Sequence, residues 1–121
     1  MTPFTIIFDE LPEYLQYALS GDHSDQDWLD LLHRMAADIK RTGKSKIFVD
    51  ASQVTMSTSV MLRYRIGVLT GELFGATTRI ATLSRADDAD QLWETVATNR
   101  GAIVRSGRDR EKLLGWLNEV A

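Results

Sequence analysis

Hydroxyl groups are the chemically capable side chains that this sequence gathers most conspicuously. Ser57, Thr58 and Ser59 stand together ahead of a long apolar-periodic segment. Ser20, Ser52, Ser84 and Ser106 each sit at or just past the end of an apolar run and ahead of a helical pattern. A serine acts as a nucleophile only beside a base that takes its proton. The two histidines, His23 and His33, have no spacing that would pair them with a serine or hold a metal. Asp22, His23 and Asp25 do collect oxygen and nitrogen donors in one loop, but a turn running into a capped helix accounts for them. Asp87, Asp88 and Asp90 look like a general-acid cluster, yet acids in a first helical turn are what the helix dipole favours. A hydrolase reading therefore lacks its base. Two uses of the hydroxyls remain: capping of orphan backbone N–H groups, and modification, since a phosphoryl group at a helix start meets exposed amides.

Composition removes several function classes. The chain has no cysteine, so disulfides, thiolate metal sites and thiol nucleophiles are excluded. Neither the dinucleotide fingerprint nor the Walker pattern can be matched, and no cofactor is expected. A net charge of −3 argues against nucleic-acid binding, whose affinity comes from positive charge on phosphates. Arg100, Arg105, Arg108, Arg110 and Lys112 form a local basic excess, tempered by Asp109 and Glu111. It reads as a solvated surface with Arg100 paired to a nearby acid such as Glu94; if functional, it would attract an anionic partner near the last strand. The apolar runs are only a few residues long and the N-terminus lacks a signal-like layout, so a cytoplasmic protein without stable membrane insertion is expected.

The elements that must position these groups follow from periodicity. Phe4–Phe8 and Tyr14–Ser20 read as two strands joined by a short polar connection. Ser24 with Asp25 and Asp27 caps a helix carrying Trp28, Leu32, Met35 and Ile39, closed by Lys40, Arg41 and Gly43. Lys46–Asp50 is a strand buried on both faces. A second helix begins near Ser57 and carries Leu62, Ile66, Leu69 and Leu73. Arg79–Ser84 is a strand, Asp87–Asp90 opens a helix through Leu92, Trp93 and Val96, and Ala102–Ser106 is the last strand. Asp109 caps a final helix through Val120. The 121 residues form one α/β domain: a five-stranded mixed sheet with one antiparallel edge strand, the rest parallel, and four helices. In such sheets ligands favour the crevice at the carboxyl ends of the strands, where the serines would supply polar groups for an anion or a head group. Turn and cap chemistry alone would also place serines there.

The whole chain resembles the SpoIIAA-like family, single domains of the STAS type that are also likened to the lipid-binding CRAL-TRIO fold. The resemblance is carried by Ser20-Gly21-Asp22, Asp27-Trp28-Leu29, Phe48-Val49-Asp50 and the run Trp93 to Gly101, followed by Asp109 and Trp116-Leu117. It implies a sandwich of a mixed sheet and helices without enzymatic activity. In the anti-sigma-factor antagonists of the family, the phosphorylated serine lies in an Asp-Ser-Ser/Thr-Gly motif at this helix start. The matching positions here are Ser57-Thr58-Ser59-Val60, with Ser57 in place of the acid and Val60 in place of the glycine. The resemblance thus makes Thr58 and Ser59 the candidates for phosphorylation.

The stripe on the second helix is wider than packing on one sheet requires, since Met56, Met61, Tyr64, Val68 and Phe74 add adaptable or aromatic surface. Core packing explains most of it. Any exposed part would mark a dimer contact or a groove for an apolar ligand. The candidate binding residues are Asp50, Ser52, Met56, Ser57, Thr58, Ser59, Met61, Tyr64 and Ser84. Two functions follow as expectations: a non-catalytic module that binds a protein partner or a second copy of itself, and a carrier or sensor of a small amphipathic or anionic ligand. The carrier would hold the polar head at the serine-lined edge and the apolar part against Met56, Met61 and Tyr64.

Overall fold

Alternating more and less buried positions set the first two strands, half-buried and exposed in β1 (Thr5–Glu10) and buried and half-buried in β2 (Leu15–Ser20), which pair antiparallel with Phe8 opposite Tyr17. The chain then runs α1 (Asp25–Thr42), β3 (Lys46–Gln53), α2 (Val60–Phe74), β4 (Arg79–Leu83), α3 (Gln91–Asn99), β5 (Ile103–Gly107) and α4 (Arg110–Leu117). This computed structural model describes residues 3–54, 59–85 and 91–119. All five strands form one sheet in the order β1-β2-β3-β4-β5, parallel from β2 onwards. The mixed sheet with one antiparallel edge strand is the architecture that the strand and helix patterns predict.

Helix ends carry the expected chemistry. The Ser24 hydroxyl accepts from the Asp27 N–H at 3.2 Å while Asp27 accepts from the Ser24 N–H at 2.7 Å, a reciprocal capping box. Gly43 ends α1 with φ at 74°, a left-handed conformation that costs glycine nothing. The second helix starts at Val60 with Ser59 as its cap, slightly later than the start near Ser57 that the sequence pattern predicts. A helix start takes one capping hydroxyl, and Ser59 supplies it by accepting from the Leu62 N–H at 3.1 Å. Ser57 and Thr58 lie outside the described residues, as do Met56, Asp87, Asp88, Asp90 and Val120. The last helix ends at Leu117 with Asn118 as its cap.

Topology decides where the core sits. Each crossover from β2 to β5 steps one strand in the same direction, and right-handed crossovers that never reverse put every connecting helix on one face. Accordingly Trp28, Leu32 and Met35 of α1, Ile66 of α2 and Trp93 of α3 pack with Leu15, Tyr17, Ile47, Val49, Ile80 and Val104 in the main core. Among the described helices only α4 covers the other face. Its Leu113 and Leu117 bury Phe48, Ala81 and Leu83, leaving the β1 and β2 side open, where Ile7 is exposed. The middle helix, α2, lies close to both α1 and α3. That explains its wide apolar stripe: Leu62, Ile66, Gly67, Thr70 and Phe74 are buried.

Two polar links tie the helical layer down. The Tyr17 hydroxyl donates to Asp38 Oδ2 at 2.7 Å, and Arg34 lies over the Phe8 and Tyr17 rings. Burial, then the Asp38 bond and charge, push the Tyr17 phenol well above its ordinary range, against smaller opposite effects from Arg34 and Arg41. The Trp28 indole N–H donates to His23 Nδ1 at 2.8 Å, which fixes the ring that walls the cavity described below.

Candidate functional site

Parallel pairing brings the carboxyl ends of β2 to β5 to one edge, and Ser20, Ser52, Ser84 and Ser106 with them. The sheet divides this rim, because side chains alternate between its faces. Asp50 and Ser52 belong to the α4 face. Asp50 Oδ1 accepts from the Ser52 N–H at 3.0 Å and from the Ser52 hydroxyl. Its Oδ2 accepts from Arg110 at 2.8 Å, and that guanidinium lies over the Phe48 ring. Asp50 is thus engaged on both oxygens. Ser84 and Ser106 belong to the opposite face, under α1 to α3, so the rim residues do not make one cluster.

On that second face an apolar cavity of about 50 Å³ opens between the helices and the sheet. Trp28, Leu31, Leu32 and Met35 of α1 form one wall, and Ile66 of α2 and Trp93 of α3 form another. The floor is Val49, Ile80 and Thr82, with Ser84 and Ser106 at the carboxyl end of β4 and β5. Thr82 pairs with Ser106 across the ladder, so three hydroxyl-bearing residues share one end of an otherwise apolar space. Such a volume takes a few water-sized groups and is well below the ~150 Å³ that admits benzene.

The hydroxyls differ in their partners. Ser106 donates its backbone N–H to Glu94 Oε1 at 2.7 Å, with its Oγ at 3.5 Å from the same oxygen. Ser84 is 3% exposed, its backbone N–H donates to the Gly107 carbonyl at 2.8 Å, and its Oγ has no partner. Among the described residues the only other buried side-chain polar atom without a partner is Nε of Arg79. A buried hydroxyl without a bond carries a desolvation penalty of about 1–3 kcal/mol, which a polar group entering the cavity would remove.

The remaining candidates face outward. Met61 is 66% and Tyr64 44% exposed, and neither lines the cavity. The apolar walls come instead from α1, α2 and α3, because Met61 and Tyr64 lie one position off the buried Leu62 and two off Ile66, turned away from the sheet. Tyr64 accepts from Arg100 Nη2 at 3.0 Å. Arg100 therefore does not pair with Glu94 as expected: it lies just past the end of α3, where its guanidinium reaches Tyr64 of α2. The sequence reading missed the cavity walls, Thr82 and the pair Gly67 and Gly71. The available signals were the same-face spacing of Ile80, Thr82 and Ser84 and two glycines four apart inside a helix.

No protein-family model and no curated protein matches the chain. Among solved structures, it is similar to an uncharacterized protein of the DUF3478 family with a SpoIIAA-like fold from Shewanella loihica PV-4. The match covers 97% of this chain and 95% of that one, with a TM-score of 0.51 and 16% identity. This chain has a SpoIIAA-like fold. At that identity the likeness extends to the fold alone, and the SpoIIAA-like scaffold is what sets the serines on one rim and stacks three helices over one face. Among the described residues no helix is long and apolar enough to cross a membrane, and no group of three His, Asp or Glu side chains could hold a metal ion.

Proposed function

We propose that this chain is a non-catalytic binding module, cytoplasmic, that holds a small, mostly apolar ligand in the cavity beneath α1, α2 and α3. The observation that carries this reading is the partnerless Ser84 hydroxyl at the polar end of an apolar space. A ligand with one polar end would bond Ser84 and bury its remainder against Trp28, Leu32 and Trp93. A non-catalytic role is supported by the lining, which among the described residues contains no carboxylate, imidazole or amine to act as a base toward Ser84. Saturable binding of xenon, followed by ¹²⁹Xe chemical shift, tests the reading. Thr82→Ile, which fills the space, is expected to abolish binding in a folded protein. Xenon binding unchanged by that variant would place the site elsewhere.

A second reading, a protein-interaction module working through the start of α2, is favoured by the exposure of Val60 at 70% and Met61 at 66%. Scattered exposed apolar residues are ordinary, but neighbouring ones at a helix start are suited to a contact with a protein partner or a second copy. Native mass spectrometry distinguishes the two: a ligand-free dimer that Met61→Asp converts to monomer supports the interaction module, and a monomer with or without that change counts against self-association.

A further inference from the structure

Resting on the ligand-binding reading above, we infer that the occupant of the cavity is an electrically neutral molecule of two or three carbon atoms with a single hydroxyl or carbonyl end. Size sets the first limit. A space of about 50 Å³ has no room for a ring or a long acyl chain while the helices keep their positions.

The distribution of polarity sets the second. Trp28, Leu31, Leu32, Met35, Ile66 and Trp93 offer only carbon, or an indole N–H already committed to His23 or Thr70. Polar groups occur at one end alone, where the Ser84 hydroxyl has a proton to donate and nothing to receive it. A ligand oxygen at that end would accept from Ser84, and a ligand with two separated polar groups would strand one of them among apolar walls.

Charge sets the third. Among the described residues no cationic side chain lines the cavity, and Arg85, which follows Ser84, is exposed. At the polar end the Glu94 carboxylate lies 3.5 Å from Ser106 Oγ. A ligand carboxylate or phosphate would be buried beside a like charge without a counter-ion. An ammonium would leave water for apolar walls without a direct counter-ion, since Glu94 is not among the residues that line the cavity. A neutral end avoids both costs.

The test is an NMR titration of the ¹⁵N-labelled full chain with xenon, 1-propanol, propionate and propylammonium at pH 7. Xenon and 1-propanol are expected to shift the indole N–H signals of Trp28 and Trp93 and the amides of Thr82, Ser84 and Ser106 in a saturable manner. The two charged probes are expected to bind at least about tenfold more weakly. Ser84→Ala should weaken 1-propanol roughly tenfold and leave xenon unchanged, which also shows that the variant is folded. Equal binding of either charged probe, or no loss of 1-propanol affinity in Ser84→Ala, overturns the assignment of a neutral polar end while the cavity reading stands. Failure of both xenon and 1-propanol to enter overturns the cavity reading itself.

Discussion

Gly67 of α2 lies against Val96 of α3 so closely that a Cβ on Gly67 would come within 2.7 Å of both Cβ and Cγ1 of Val96. One turn later the same would happen between Gly71 and Arg100, at 2.4 Å from the Arg100 Cβ. Two bare positions four residues apart let α2 and α3 approach and set the ceiling of the cavity through Ile66 and Trp93. The bond from the Trp93 indole N–H to Thr70 Oγ1, 3.1 Å long, locks the same pair of helices.

Gly67→Ala is expected to destabilise the protein by about 1–3 kcal/mol through overpacking, although alanine is the better helix former by about 1 kcal/mol. Val96→Ala in the same chain should recover only part of the loss, because it removes Cγ1 but keeps the Cβ that stands equally close. Urea denaturation of the two single variants and the double variant checks this, and simple additivity would mean that the two positions do not press on each other.

Ser84→Ala is expected to raise stability by about 1 kcal/mol, because it deletes a buried hydroxyl that has no bond. Equilibrium unfolding reads the change. A loss of stability instead would show that the hydroxyl is satisfied in solution.

Tyr17 predicts a pH dependence. Its phenol is held protonated by burial and by Asp38, so its folded pKa lies above the unfolded value of 10.0. The stability it contributes is fully present below about pH 10 and is lost as pH rises beyond that, where the unfolded chain ionises first. Unfolding free energies at pH 8 and pH 11 should fall less steeply for Tyr17→Phe than for the parent chain.

Ser24→Ala and Asp109→Ala are each expected to cost about 1 kcal/mol, the usual loss for a helix cap. The two costs should be similar, since Ser24→Ala removes only the hydroxyl that accepts from the Asp27 N–H, while the backbone N–H at position 24 still donates to the Asp27 carboxylate. Thermal unfolding of the two variants gives the comparison. The Asp109 carboxylate accepts from the Lys112 N–H at 3.2 Å.

Local signals made the scaffold legible. Ser24, Gly43 and Asp109 each announce a helix end by a side chain that bonds, or a backbone that turns, within four residues of itself. The apolar run Ile47-Phe48-Val49 announces a strand covered on both faces, and all three are buried. The rim was legible as well, because parallel strands must end together. What the sequence could not reveal was which side of the sheet each rim residue takes. Ser52 and Ser84 look alike in sequence, yet one bonds Asp50 beside α4 and the other faces a cavity under α1. That distinction depends on register counted along each strand, where a shift of one residue reverses every side chain. Arg100 shows the same limit: its Tyr64 partner lies thirty-six positions away, and proximity in sequence suggested Glu94 instead.

The strand order carries a consequence for how the molecule comes into being. Because each strand pairs with the one made just before it, no later segment has to be threaded between two that are already joined. A chain emerging from the ribosome would lay down its architecture as a growing front, with short closures throughout and only the final helix left to seal the reverse side.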